Sequence, residues 1–285
     1  MAEGFDDRLC DLGEGPLWHP TRNSLIWFDI NGGRLLERQG DTPRYWQFEG
    51  PVTAAGLLPG GDLLIASHVA LQRFNLDTGA SEVVHPLEAN LPKNRSNDGR
   101  ADGFGSFWIG TMARLKTPGD GAIYRLYRGE LRKLHSDITI SNSICFSPDR
   151  SKAYFTDTPR KVIWSQALDE DGWPASPPEP FVTLAEADGY PDGAVCDAEG
   201  YVWSARWGTG EVVRHAPNGQ LDTVVKVPVS QVSCPAFGGP DARTLYCTTA
   251  REELSPEQLR AEPLAGATFK LLDDVPGRFE PEVAL

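Results

Sequence analysis

Basic residues and long apolar runs are scarce in this chain, and each scarcity excludes a class of protein. The 285 residues include 27 Lys and Arg against 40 Asp and Glu, which gives a net charge of −13. This balance excludes nucleic acid and anionic membranes as partners, because both require a basic surface. No stretch approaches the roughly 20 apolar residues of a membrane-spanning helix, and the segment 1–7 lacks the basic and apolar regions of a signal peptide. We therefore expect a cytoplasmic protein.

Cysteines and helical signals are also few. The five cysteines are an odd number without metal-ligand spacing, which is typical of free thiols in a cytosolic protein. One segment, Ser255–Arg260, begins with a capping Ser and a Pro at the first helical position, so it predicts a short surface helix. The rest of the chain offers signals for strands.

A repeated pattern carries those strand signals. Six anchor positions each lie six residues before a turn, and they are separated by 39, 44, 45, 50 and 42 residues: Glu14, Thr53, Asn97, Asn142, Asp192 and Cys234. After each turn comes a short run of aromatic, aliphatic or β-branched residues: Leu25–Phe28, Leu63–Ile65, Phe107–Ile109, Ala153–Phe155, Tyr201–Trp203 and Leu245–Cys247. Such runs favour strands. The segments between them are rich in Gly, Pro, Asp and Asn, which favour turns.

Repeats of this length that contain several short strands are typical of propeller blades. The sequence therefore predicts an all-β fold, a six-bladed β-propeller with a central channel, as a single domain over residues 1–285. The Pro-rich stretch Trp173–Pro180 is interpreted as the long loop behind the 50-residue spacing rather than as a domain boundary. The alternative fold is a β-sandwich or a pair of smaller β domains.

The anchors would ring one mouth of that channel. Two carboxylates that face each other, Glu14 and Asp192, repel unless a cation or a proton lies between them. With the neutral amide of Asn142 they form an oxygen-only set, which favours Ca²⁺, Mg²⁺ or Mn²⁺, although Zn²⁺ and Fe²⁺ remain open. The alternative is that Asn and Asp serve here only as turn and strand-entry residues.

Several motifs then resemble one family, in order and with compatible spacing. They are Leu12–Trp18, Arg95–Gly99, Ser141–Ser143, Tyr154–Thr158 and Tyr190–Ala194, and they look like the successive motifs of the gluconolactonase, senescence-marker-protein and luciferin-regenerating-enzyme family. The match runs from about Leu12 to about Thr249, and the segment from Phe237 to Gly266 is similar to bacterial sugar lactonases.

The resemblance implies a six-bladed propeller with one divalent metal in its channel, held by Glu14, Asn142 and Asp192. It also implies that Asn97 lies beside the metal and binds substrate or a bound water, and that Arg95 binds substrate oxygens. One departure concerns Gly110-Thr111-Met112, after which some animal members carry an acidic substrate-binding residue. Here Ala113–Lys116 follows, without a carboxylate, so the resemblance does not extend to the substrate-binding residue of those animal members.

We therefore predict metal-dependent hydrolysis of a sugar lactone, an aldonolactone, with Asp192 as the base that takes a proton from water. Two alternatives are a broader arylesterase or phosphotriesterase and a non-enzymatic calcium-binding propeller. Asp98 and Asp157 are candidates for supporting the site, and Trp18 and Trp207 for its walls. A thiol nucleophile at Cys234 is conceivable, but no His shares an anchor position with it. The sequence leaves the oligomeric state open.

Overall fold

Each of the six strand-forming runs becomes the second strand of a four-stranded antiparallel sheet, with only Tyr201 left outside its strand. The computed structural model describes residues 2–285. The first strand of the chain is β1 (Glu3–Asp6).

Three sheets follow β1 in chain order, and each is one blade. Blade 1 consists of β2 (Gly13–His19), β3 (Ser24–Asp29), β4 (Arg34–Gln39) and β5 (Thr42–Gln47). Blade 2 consists of β6 (Val52–Leu57), β7 (Leu63–Ser67), β8 (Ala70–Phe74) and β9 (Ser81–Pro86). Blade 3 consists of β10 (Asn94–Ala101), β11 (Phe107–Ala113), β12 (Gly121–Tyr127) and β13 (Glu130–Ile138).

The second half of the chain repeats the arrangement and closes the ring. Blade 4 consists of β14 (Ser141–Phe146), β15 (Lys152–Asp157), β16 (Val162–Ala167) and β17 (Glu179–Thr183). Blade 5 consists of β18 (Tyr190–Cys196), β19 (Val202–Trp207), β20 (Glu211–His215) and β21 (Leu221–Lys226). Blade 6 takes β22 (Val232–Gly238), β23 (Thr244–Thr249) and β24 (Thr268–Leu272), and β1 from the other end of the chain is its outer strand.

The inner strand of each blade packs against the inner strands of its two neighbours, and β22 packs against β2, so the blades form a closed ring. The six-bladed propeller prediction is confirmed, and the β-sandwich alternative is wrong. The apolar core among residues 2–285 is divided into six clusters, one between each pair of neighbouring blades. Stability therefore comes from packing each sheet face against the next.

The predicted helix and long loop are also present. Helix α1 (Pro256–Ala261) has Ser255 as its N-cap, and the Ser255 side chain accepts a hydrogen bond from the Gln258 amide. Residues 173–178 of the predicted loop 173–180 lie between β16 and β17, whereas its last two residues, Glu179 and Pro180, begin β17. No helix in residues 2–285 is both long enough and apolar enough to cross a membrane.

The residues that follow β24 run across the ends of the inner strands. The Val283 amide donates to the Leu57 carbonyl at 2.7 Å, and the Arg278 Nε donates to the Cys196 carbonyl at 3.1 Å. Both carbonyls belong to the last residue of an inner strand. This C-terminal tail also places Glu280 beside Arg100, with 2.5 Å between Oε1 and Nη1. The tail therefore closes the channel at one end.

Candidate metal centre and active site

A β-bulge interrupts every inner strand close to its anchor. The register with the second strand shifts between Glu14 and Leu17, between Asn142 and Cys145, and at the corresponding place in the other four inner strands. A bulge adds an unpaired residue and turns the side chains around it. In β2 the bulge contains Gly15 at φ +55°, and a Cβ there would lie 2.5 Å from the Thr53 carbonyl oxygen. Only glycine fits that position.

The anchors share the bulge but not one register. Glu14 and Asn142 are the last paired residues before their bulges, whereas Asn97 and Asp192 are the first unpaired residues within theirs. The sequence predicted one common position for all anchors, but Asn97 in blade 3 and Asp192 in blade 5 lie one residue further along their strands than that position. The bulges compensate, because all four of these side chains line the same cavity.

That cavity has a volume of about 290 Å³ and opens at the channel mouth away from the C-terminal tail. Its polar floor consists of Glu14, Arg95, Asn97, Asn142 and Asp192, all of which are less than a tenth exposed. Its walls are largely apolar, and their apolar residues come from blades 1, 3, 4 and 5 and the turns beside them: Leu12, Met112, Ile140, Pro159, Tyr190 and Trp207. This combination suits a small molecule with a polar group at the floor.

The carboxyl groups of Glu14 and Asp192 meet at the floor of the cavity. Burial, together with the negative charge of Asp98, raises the pKa of Glu14 to about 8. Burial and the facing Glu14 carboxylate also raise the pKa of Asp192 well above its ordinary value. Neither carboxylate forms a salt bridge with a Lys or Arg in residues 2–285. The pair therefore needs either a shared proton or a bound cation.

The donor set fits a hard divalent cation. No group of three or more His, Cys, Asp or Glu side chains in the described chain could hold a metal, and the amide oxygen of Asn142 lines the same cavity as the two carboxylates. Two carboxylates and one amide oxygen balance a charge of +2 and leave positions for water or substrate. The residues present are thus compatible with Ca²⁺, Mg²⁺ or Mn²⁺.

The rest of the floor is a series of hydrogen bonds that begins at the Arg95 guanidinium. The Arg95 Nη1 donates to Asn97 Oδ1 at 2.6 Å, and Asn97 Nδ2 donates to Asn142 Oδ1 at 3.0 Å. Asn142 Nδ2 in turn donates to Thr158 Oγ1 at 2.9 Å. Burial lowers the pKa of Arg95 to about 10, which still leaves the guanidinium charged at neutral pH. Its other two nitrogens make no hydrogen bond to residues 2–285 and are available to a ligand in the cavity.

Two charged side chains meet over the cavity from opposite sides of the ring. Lys116 follows β11 in blade 3, Glu253 follows β23 in blade 6, and their side chains form an ion pair. Both residues have a left-handed backbone, at φ +54° and +65°. We call this ion pair the clasp. It lies at the mouth, so a ligand that enters the cavity passes it.

Three predicted positions lie outside the cavity. Thr53 is buried and its hydroxyl donates to Ser96 Oγ at 2.9 Å, so it joins blades 2 and 3. Cys234 packs against Gly193, and burial keeps its pKa well above the ordinary value, so it stays a thiol rather than a nucleophilic thiolate. Trp18 stacks on Tyr246 in the core between blades 6 and 1, with ring centroids 6.0 Å apart. The prediction that Trp18 walls the pocket is wrong.

Two acidic side chains bind backbone amides close to the residues of the floor. Asp98 Oδ2 accepts a hydrogen bond from the Ile144 amide at 2.7 Å, which joins blade 3 to the bulge beside Asn142. Asp157 Oδ1 accepts from the amides of Thr139 and Ile140 at 3.0 and 2.9 Å and so orders the turn before β14. The sequence missed the clasp, Glu252 and Thr158, although Thr158 lies within a motif quoted above.

Comparison with known proteins agrees with this architecture. The family model described as SMP-30/Gluconolactonase/LRE-like region matches residues 12–251. A protein of Rhizobium meliloti (strain 1021), whose name as a sugar lactone lactonase is itself provisional, is 42% identical over 99% of this chain and 96% of its own length. The 6-deoxy-6-sulfogluconolactonase of Pseudomonas putida is 34% identical over 95% of this chain and 94% of its own.

A solved structure is also close in both sequence and shape. The crystal structure of a calcium-binding protein, regucalcin, from Agrobacterium tumefaciens is 40% identical to this chain. It superimposes with a TM-score of 0.98 and covers 100% of this chain and 98% of its own. The whole propeller, including the C-terminal tail, therefore falls within the matched region.

Proposed function

Since the chain belongs to the SMP-30/gluconolactonase/LRE-like family, we propose that it hydrolyses a sugar lactone, an aldonolactone, to the corresponding sugar acid. The observation that carries the proposal is the floor of the cavity, where two buried carboxylates and an amide oxygen lie beside a guanidinium with free donors. Relatives named as lactonases support the substrate class.

We assign Glu14, Asn142 and Asp192 to one divalent cation, whose identity among Ca²⁺, Mg²⁺, Mn²⁺, Zn²⁺ and Fe²⁺ is left open. The chemistry that such a cation supplies when bound is polarisation of the lactone carbonyl and a lowered pKa for water. The carboxylate pair supports this assignment, because the charge of Arg95 offsets the effect of burial only in part and the pKa of Glu14 stays raised. The relation to a calcium-binding protein supports a divalent ion as well.

Each side chain of the floor is assigned its own role in hydrolysis. We assign to Asp192 the removal of the proton from the attacking water, since it is a buried carboxylate of the cavity floor whose raised pKa suits it to accept a proton. Arg95 donates hydrogen bonds to the oxygens of the lactone through the nitrogens that the protein leaves free. Asn97, held by Arg95 and Asn142, fixes the position of that guanidinium. Glu14 serves as a ligand, and the apolar walls exclude bulk water from the reacting carbonyl.

One observation favours a second candidate. The walls of the cavity are mostly apolar, and hydroxyl groups of a sugar gain nothing from such surfaces. A broader esterase or phosphotriesterase activity on an apolar substrate would use the same floor. A calcium-binding propeller without turnover is the third possibility, and it predicts metal binding alone.

A pH-indicator screen of pentono- and hexonolactones, aryl esters and an aryl phosphotriester tests all three. The purified protein is stripped with EDTA and assayed with and without each of the five metals. We expect acid release from at least one aldonolactone that is lost after chelation and restored by one metal. Preference for the aryl ester would support the second candidate, and metal binding without turnover of any compound would support the third.

A further inference from the structure

The hydroxyl of Thr158 connects two of the candidate metal ligands. It accepts a hydrogen bond from Asn142 Nδ2 at 2.9 Å and donates one to the Pro191 carbonyl at 2.9 Å. Pro191 is the residue directly before Asp192. Thr158 itself begins the short 3₁₀ turn Thr158–Arg160 that follows β15, and its amide donates to the Ile140 carbonyl at 3.0 Å. The backbone therefore holds the residue in place independently of the hydroxyl.

The direction of these hydrogen bonds is determined by chemistry. A hydroxyl has one hydrogen to donate, and the Pro191 carbonyl can only accept it. Thr158 Oγ1 must therefore act as an acceptor toward Asn142, which requires the NH₂ side of that amide. The opposite side, Oδ1, then faces the cavity floor.

The Arg95 end of this series of hydrogen bonds requires the same orientation of the Asn142 amide. Arg95 can only donate, so it requires the oxygen of the Asn97 amide. The nitrogen of that amide donates to the Ser141 carbonyl at 2.9 Å and to Asn142 Oδ1. A donor-only group at one end and an acceptor-only group at the other thus impose a single orientation on both amides. Asn142 Oδ1 uses one lone pair in this series of hydrogen bonds and keeps the other for a ligand.

We propose that Thr158 is a positioning residue of the candidate metal site. Its hydroxyl turns the Asn142 oxygen toward Glu14 and Asp192, and it braces the peptide that precedes Asp192. Without it, the hydrogen bond from Asn97 Nδ2 remains as a constraint on the Asn142 amide, but turning the NH₂ group of that amide toward the cation costs less free energy. This inference rests on the proposed metal ligands and adds a residue that does not touch the cation.

The test compares three variants by their affinity for a metal alone. Thr158→Val removes the hydroxyl at nearly constant volume, and Thr158→Ser retains it. Thr156→Val is the matched control, because Thr156 is fully buried two residues away and its hydroxyl donates to the Val162 carbonyl rather than to a ligand. Isothermal calorimetry on EDTA-stripped protein with Mn²⁺ and with Ca²⁺ gives the dissociation constants, and the Tm of the metal-free variants checks their folding.

We expect Thr158→Val to weaken metal affinity about 10- to 100-fold, which is the usual range for partners of metal ligands. The dissociation constants of Thr158→Ser and Thr156→Val should stay within about threefold of the wild-type value. A tenfold change would correspond to about 1.4 kcal/mol of binding free energy. If Thr158→Val does not fold, Thr158→Ala against Thr158→Ser makes the same comparison.

Two results would overturn the inference. Wild-type affinity in Thr158→Val would exclude a role for the hydroxyl, and so would an equal loss in Thr158→Ser. Either result leaves the proposed function standing. Absence of metal binding by the wild-type protein would instead overturn the assignment of the ligands, and with it this inference.

Discussion

The carboxyl groups of Glu14 and Asp192 face each other at the floor of the cavity, and burial raises the pKa of both. They come from blades 1 and 5, so the closed ring rather than any local segment brings them together. Their mutual repulsion is a cost to the folded state that a bound cation or a shared proton relieves. Two predictions depend on this relationship.

Substitution of Asp192 by Ala should abolish lactone hydrolysis while the fold survives. The change removes both a ligand and the base, and a general base alone contributes about 10²- to 10⁴-fold. We therefore expect kcat/KM to fall by at least about 100-fold with metal supplied, while the circular dichroism spectrum is unchanged. Unchanged turnover in this variant would contradict the mechanism.

Substitution of Glu14 by Gln should make the metal-free protein more stable at pH 8. The folded pKa of Glu14 is about 8 against 4.5 for the free side chain. Between these values the folded protein holds a proton that the unfolded chain has lost, so the free energy of unfolding decreases as pH rises through this window. The Gln side chain does not titrate, so the variant does not lose stability in this way. We expect its free energy of unfolding at pH 8 to exceed that of the wild-type protein by at least about 1 kcal/mol, or roughly 2–4 °C in Tm.

Thermal unfolding in EDTA at pH 5 and pH 8 measures this effect. The wild-type protein should lose stability between the two values, and the variant should lose less. Addition of the activating metal should restore the wild-type protein at pH 8 and leave the variant nearly unchanged. A wild-type Tm that rises from pH 5 to pH 8 without metal would speak against a strained carboxylate pair.

The repeat in the sequence was sufficient to predict the ring and its polar floor. It succeeded because each blade buries the same kind of inner strand, so the position of Glu14 in one blade predicts that of Asn142 in another. It failed for Trp18, because the bulge after Glu14 changes which side chains of β2 point to the channel. The repeat could not predict the ion pair of Lys116 and Glu253, since both residues lie in loops whose course depends on the assembled ring. Hydrogen-bond direction at Thr158 likewise requires coordinates.

The clasp should slow the entry of substrate slightly. Lys116 and Glu253 pair across the mouth, and both side chains are partly exposed, so the pair contributes at most about 1 kcal/mol. Glu253→Gln should raise kcat/KM for an uncharged lactone by up to about fivefold. Added salt should produce a similar rise in the wild-type protein and none in the variant.

A matched control for the clasp is Glu211→Gln, which breaks the exposed pair with Lys226 on an outer strand of blade 5. That variant should keep both the wild-type kcat/KM and its dependence on salt. A fall in kcat/KM for Glu253→Gln would instead assign the carboxylate a role in binding the lactone.

The C-terminal tail should stabilise the folded protein mainly through the side chain of Glu280, which pairs with Arg100. Arg100 and Glu280 are both largely buried, with side chains 6% and 13% exposed. Glu280→Ala leaves the guanidinium buried without its carboxylate, and removal of one partner from a buried pair costs about 3–5 kcal/mol. Glu282→Ala in the same tail is exposed and should cost almost nothing. Urea unfolding of both variants measures the difference.

The same tail has a consequence for turnover. Because the tail runs across the far ends of the inner strands, it closes that end of the channel, and the cavity opens at the opposite mouth. Substrate and product use the same mouth in turn, so a sugar acid that has not yet left excludes the next lactone. Product inhibition should therefore be competitive, and the rate of departure of the newly formed anion sets the upper limit on kcat.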